Sequence, residues 1–191
     1  MANKVQYGLS NVYYAIATIA DNGTATYGAP VAWPGAVNLS MDRDDNQEIF
    51  YADNIAYFTS GETSGYSGTL ETALIPDTFR QNVLGEVKDG KNVYFEDANA
   101  STVHFALIFE FKGDANAVKH VLYNCTASQP SLASETTTDT ITPQTETLDL
   151  VARTIYNSTI SKNVVKARLS DATSSAYTTW NSAVYMGTAI G

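Results

Sequence analysis

Two histidines, one cysteine and a few strand carboxylates are the residues of this chain whose types could do chemistry. His104 and His120 lie sixteen positions apart, on either side of a turn at 113–116, with Glu110 between them. Two imidazoles and a carboxylate suit a transition metal. A closed site needs a third and fourth ligand at defined spacing, and the sequence signals none. Cys125 with His120 as base would make a nucleophile pair. Five residues apart on one strand, the two side chains are expected on opposite faces, so Cys125 reads as a buried thiol. Glu71, Glu110 and Asp149 are acids on expected strands and could pair for glycoside hydrolysis. Nothing in the spacing brings them together. There is no G-x-S-x-G turn, no P-loop and no G-x-G-x-x-G. The expectation is a protein without catalytic residues, metal or cofactor, and not an enzyme.

The elements that must position these residues are strands. From Thr102 to Lys112, Val103, Phe105, Leu107, Phe109 and Phe111 share one face, and His104, Ala106, Ile108, Glu110 and Lys112 the other. Such a period-two run is a strand signature. Gly113-Asp114-Ala115-Asn116 turns the chain, and 117–126 returns as the second arm of a hairpin. VYYAIAT at 12–18 is a first strand, Asn22-Gly23 a tight turn, and 31–40 an extended stretch interrupted by Pro34-Gly35. Leu70, Thr72 and Leu74 share a face of a strand over 69–75. Asp77 is placed to cap a short helix over 78–84 that buries Phe79, Val83 and Leu84 and stops at Gly85. Two further strands fall at 148–155 and 163–170, around Asn157-Ser158. Ala176, Tyr177, Trp180, Ala183 and Val184 are spaced for a C-terminal helix with Asp171 as its cap. Roughly eight strands with one or two short helices give a mainly β fold, two packed sheets in a sandwich or barrel.

Composition fits one domain spanning 1–191, with arms at about 41–54 and 126–147. The first carries five acids and one base and reads as a solvated loop opening a projecting hairpin; in the second, 11 of 22 residues are Ser or Thr. Twelve tyrosines against three methionines suit pleated surfaces. A single cysteine excludes an intrachain disulfide. The first ten residues lack the apolar core of a signal peptide, so a soluble chain folding in a reducing cytoplasm is expected. Net charge is −9, and bases such as Lys88 and Lys91 are isolated. That excludes a phosphate-gripping nucleic-acid binder. Trp33 and Tyr66 read as loop aromatics that could stack on sugar rings, although core and interface aromatics are commoner.

An ordered series of segments runs through the chain: NVYYAIAT at 11–18, YADN at 51–54, GYSGTLE at 65–71, LIPDTFR at 74–80, FALIFEF at 105–111, VLYNCTASQP at 121–130, PQTETL at 143–148, VVKARL at 164–169 and AYTTWNSAVY at 176–185. In this series the chain resembles the major tail proteins of phages with long non-contractile tails. The resemblance implies two packed sheets with a flanking helix, six subunits in a ring, and rings stacked into a tube through which the genome passes. Related tube folds occur in contractile tails and in the inner tube of type VI secretion.

Under that resemblance the partners are further copies of the chain, the tape measure, tail-tip and terminator proteins, with DNA passing the lumen unbound. The location is the virion tail, assembled in the host cytoplasm. Glu71, Glu110 and Asp149 are candidates to line an acidic bore that repels phosphates. Asp42, Asp44, Asp45 and Glu48 are candidates for a loop between rings. The alternative is a monomeric β-sandwich that binds carbohydrate or protein.

Overall fold

The period-two run around Phe105 becomes the middle of the protein, because its hairpin partner and its flanking strands all pair on it. The computed structural model describes residues 3–52, 55–134 and 143–189, with backbone alone along 45–52 and 55–63. In chain order the elements are β1 (Gln6–Ile19), β2 (Ala25–Tyr27), β3 (Val31–Ala32), β4 (Ala36–Ala52), β5 (Ile55–Thr72), α1 (Asp77–Asn82), β6 (Val87–Lys88) and β7 (Tyr94–Phe95). There follow β8 (His104–Gly113), β9 (Val118–Ala127), β10 (Glu146–Arg153), β11 (Ile155–Asn157), β12 (Lys162–Val164), β13 (Lys166–Leu169) and α2 (Ser175–Thr179).

The expected mainly β fold is found. It is built as one nine-stranded antiparallel sheet in the order β2-β1-β8-β9-β10-β5-β4, with β3 added on β1 and β13 on β9. Two small sheets, β6-β7 and β11-β12, stand apart from it. The large sheet curls. Its β3, on the edge of β1, runs within four residues into β4 at the far end of the order. Trp33 N–H donates to the Val12 carbonyl and Ala73 N–H to the Gly35 carbonyl, which ties the two ends together. Leu9 from one end and Leu39 and Met41 from the other pack on the same interior cluster. This is a barrel-like closure, with alternate residues of each strand inside.

That interior is aromatic. Tyr14, Trp33, Phe79 and Phe105 are enclosed, with Phe79 edge-on to Tyr14 at 5.0 Å and to Phe105 at 5.2 Å between ring centres. Full burial of each such side chain stabilises by about 1.5–3 kcal/mol, with a smaller gain from the ring geometry. Helix α1 and the turn after it plug the interior: Phe79, Val83 and Leu84 are buried as the spacing predicts, and the helix stops at Asn82, three residues before Gly85 at φ 77°, with Val83 as its C-cap. The cap differs from expectation. Pro76 occupies the N-cap and Asp77 the first helical position, with no side-chain cap bond. The Pro76 carbonyl accepts from the Phe79 and Arg80 N–H groups, and the fixed proline φ sets the entry to the helix.

The outer face of β8-β9 is covered as well. Ala106, Ile108, Val121 and Tyr123 form a second cluster with Ile155 and Trp180. The expected C-terminal helix shrinks to α2, capped by Ser174 rather than Asp171. Helix α2 and the chain after it lie as a strap held down by side-chain bonds rather than by a longer helical ladder. Tyr177 Oη donates to the Ala117 carbonyl at 2.9 Å, Trp180 Nε1 to that of His120 at 3.3 Å, and Tyr123 Oη to that of Tyr185 at 2.7 Å. Ser and Thr within 170–182 favour such local bonding over helix.

Candidate functional site

The strand register sets a mostly polar outer face across β4-β5-β10. Leu70, Leu148 and Leu150 point into the barrel. The alternate residues therefore point outward. Across the three strands the rows are Asn38–Glu71–Thr147, Ser40–Thr69–Asp149, and Asp42–Ser67–Val151. Asp44, Gly65 and Arg153 complete a fourth row. Apart from Val151 and Arg153 the side chains are mostly short and polar, and four acids face one base. Asp149 and Asp42 are exposed; Glu71 is half-buried and accepts a bond from Thr145 Oγ1 at 2.7 Å. Asp44 accepts from Ser67 Oγ at 2.9 Å. Neither apolar cluster reaches this face.

Glu71 and Asp149 are thus diagonal neighbours on one surface, which the sequence did not reveal. Glu110 is elsewhere. Its side chain is 5 % exposed and takes Lys119 Nζ at 2.7 Å, Asn181 Nδ2 at 3.0 Å and Asn11 Nδ2 at 2.9 Å. Burial alone would raise its pKa; the bonds from Lys119, Asn11 and Asn181 outweigh burial and hold it below the ordinary value. As an acid on an expected strand it is a candidate for the bore, but it is buried and faces no open surface of the chain. The correction follows from the C-terminal strap, which covers that face.

The acidic segment read as a solvated loop is also corrected. Asp42, Asp44, Asp45 and Glu48 lie on β4, which pairs with β5 from Ala36 to Ala52. Beyond Gly65, β5 leaves β10, so 45–52 and 55–63 run on as a two-stranded ribbon. Its eight paired rows reach roughly 27 Å at about 3.4 Å per residue. The side chains of Asp45 and Glu48, residues 53–54 of the YADN segment, and 135–142 of the Ser/Thr-rich arm lie outside what is described.

The residues weighed for chemistry are separated. His104 Nδ1 is 2.7 Å from Asn124 Oδ1, at the opposite end of β8 from His120. His120 stacks on Phe109 with centroids 5.1 Å apart and planes 4° from parallel. Burial, with Lys166 and Arg168 nearby, lowers its pKa to about 4. Cys125 and His120 turn out to share the inner side of β9, because a register shift opposite Phe105 and Leu107 breaks the alternation. They remain several strand rows apart, and burial pushes the Cys125 thiol up to about 12. Among the described residues no three His, Cys, Asp or Glu side chains are grouped as metal ligands, and no helix is long and apolar enough to cross a membrane. Trp33 is 2 % exposed, donating Nε1–H to Thr72 Oγ1, so it is a core residue and not a sugar platform. Tyr66 is half-buried beneath Lys166 Nζ, 4.6 Å from its ring centre.

One set of residues was missed by the sequence reading. Arg153, Lys162, Lys166 and Arg168 are all exposed, and no acid falls between Asp149 and Asp171. A charge count over a twenty-residue window would have found it.

No protein-family model and no curated protein matches the chain. Among solved structures, it is similar to a chain of the cryo-EM structure of the anti-feeding prophage (AFP) baseplate, 6-fold symmetrised. The TM-score is 0.48 at 12% identity, over 88% of this chain and 97% of that one. Likeness at that level leaves the architecture resting on the chain's own strand pairings.

Proposed function

We propose that this chain is a structural subunit of a phage particle, and within that class a tail-tube subunit. Copies close into rings, six to a ring, and the rings stack into a tube that conducts the genome. The reading rests on the ordered segments that resemble major tail proteins. The observation that carries it in the structure is the polar, net-acidic outer face of β4-β5-β10. A bore that passes DNA has to offer phosphates no grip, and short polar side chains with excess carboxylate do that. Glu71 and Asp149 are the acids assigned to the bore. The ribbon of 45–52 and 55–63 reaches the neighbouring ring, and the tape measure, tail tip and terminator meet the tube at its ends. Assembly takes place in the host cytoplasm and the product is part of the virion.

The test is negative-stain electron microscopy across a concentration series, with and without purified tail-tip complexes as nuclei. Hollow tubes with a regular axial repeat are expected. Monomers under every condition would overturn the reading in favour of a binding module. Tubes of Glu71→Lys/Asp149→Lys should retain short DNA that native tubes release; equal release would remove these two acids from the bore.

A further inference from the structure

Among the described strands of the large sheet that pair on one side only, β4 and β13 carry opposite charges. β4 pairs only with β5, and β13 only with β9, among the described residues. β4 carries Asp42, Asp44, Asp45 and Glu48 against Arg43. β13 carries Lys166 and Arg168, follows Lys162, and has no acid. Lys166 and Arg168 are exposed and form no ion pair among the described residues; Lys166 lies over the Tyr66 ring.

The second open edge has a structural cause. The edge of β9 is shared, with β10 along Asn124–Ala127 and β13 continuing the same line along 119–122. β5 pairs with β10 as far as Gly65 and then follows β4 into the ribbon. The place beside β13 that β5 would take in a continuous sheet is left without a strand.

We propose that the β4 edge of one copy docks beside β13 of the next, so that Asp42 and Asp44 meet Lys166 and Arg168. The inference rests on the ring reading and names the surfaces that join in it. An open edge offers unpaired N–H and C=O groups to a further strand. Opposite charge selects the partner and excludes the mismatched pairings β4-on-β4 and β13-on-β13. Because the two surfaces differ, the contact is head-to-tail, the kind that closes into rings.

Two doubly reversed variants test this: Asp42→Lys/Asp44→Lys and Lys166→Glu/Arg168→Glu. Each is assayed alone and in equimolar mixture, by sedimentation velocity and negative-stain microscopy, beside the native chain. Each alone now carries like charge on both surfaces and should associate at least tenfold more weakly than native. The mixture should recover association, with the variants alternating. Either variant assembling like the native chain, or a mixture that fails to recover, overturns the pairing while native rings would leave the ring reading intact. A native chain that never assembles overturns the ring reading; a mixture that also stays monomeric then overturns the pairing as well. Circular dichroism and unfolding midpoints check the fold, and the single exposed changes Asp42→Lys and Arg168→Glu repeat the test should a double variant misfold.

Discussion

Lys119 Nζ and Glu110 Oε1 lie 2.7 Å apart inside the protein, with side-chain exposures of 10 % and 5 %. The Lys119 ammonium also sits 4.6 Å from the centre of the Tyr177 ring. The pair joins β8, β9 and the C-terminal strap at one point. Removing one partner strands the other charge in a poorly hydrated site. Glu110→Ala is expected to cost about 3–5 kcal/mol, read from urea midpoints at constant slope. Glu110→Met/Lys119→Met should recover part of that loss. Recovery stays incomplete because Asn11 and Asn181 lose their acceptor.

Acid should weaken the fold in two stages. His120 has a folded pKa of about 4 against an ordinary 6.5. The unfolded chain therefore takes up a proton first, and stability falls as pH drops from 6.5 towards 4. Glu110 has a folded pKa below its ordinary 4.5. Its contribution is complete above 4.5 and is lost as pH falls through the lowered value. Thermal midpoints measured every half pH unit should decline below 6.5. In His120→Phe the decline between 6.5 and 4.5 should flatten while the loss below 4.5 remains. An unchanged profile in that variant would remove His120 from the account.

Gly65 and Gly68 are where β5 is gripped between β4 and β10. A Cβ on Gly68 would overlap the Ser40 carbonyl oxygen, and one on Gly65 that of Ala152, with Gly65 also at φ 153°. Alanine at either is expected to destabilise by about 1–3 kcal/mol. Gly90 has open space around its Cβ position, so Gly90→Ala should lie within about 0.5 kcal/mol of native. Denaturant unfolding of the three variants side by side checks the ordering.

Cys125 is wholly buried, and its thiol is pushed up to about 12. The thiolate is the reactive form. A thiol-specific chromogenic reagent should leave the native protein unmodified for hours at pH 8 and label it stoichiometrically in denaturant. Fast labelling of native protein would show that the β9–β10 junction opens.

The strands legible in the sequence were those with one apolar face. Phe105, Leu107 and Phe109 announced β8, and Phe79, Val83 and Leu84 announced α1. What periodicity cannot convey is who covers the second face. Ala106 and Ile108 share their side with His104, Glu110 and Lys112, a mixed face, yet the strap makes that side a core and makes Glu110 a buried partner. The acidic run at 42–48 was read as a loop for its charge. It is strand because β5 pairs with it along its length, a tertiary choice that overrides local propensity. The parity argument separating Cys125 from His120 failed at a β-bulge, which no residue type marks. For the candidate bore, each acid was visible singly; that Glu71 and Asp149 share a face depends on the β5-β10 register. The family resemblance pointed to assembly, and the strand edges that could join copies were visible only after folding.

The strand order also has a consequence in time. β1 is synthesised first, and its long partner β8 is complete only at residue 113, 94 residues after β1 ends at Ile19. At ribosomal rates of about 5–20 residues per second, that is a wait of roughly 5–20 s. During it, an apolar strand containing Val12, Tyr14 and Ile16 has no interior to enter. β2 and β3 follow within 13 residues of Ile19 and pair along its other edge. They are too short to build a core, but they occupy one side of β1 while the rest of the chain emerges. A nascent chain stopped before residue 104 should expose a single sticky edge rather than two.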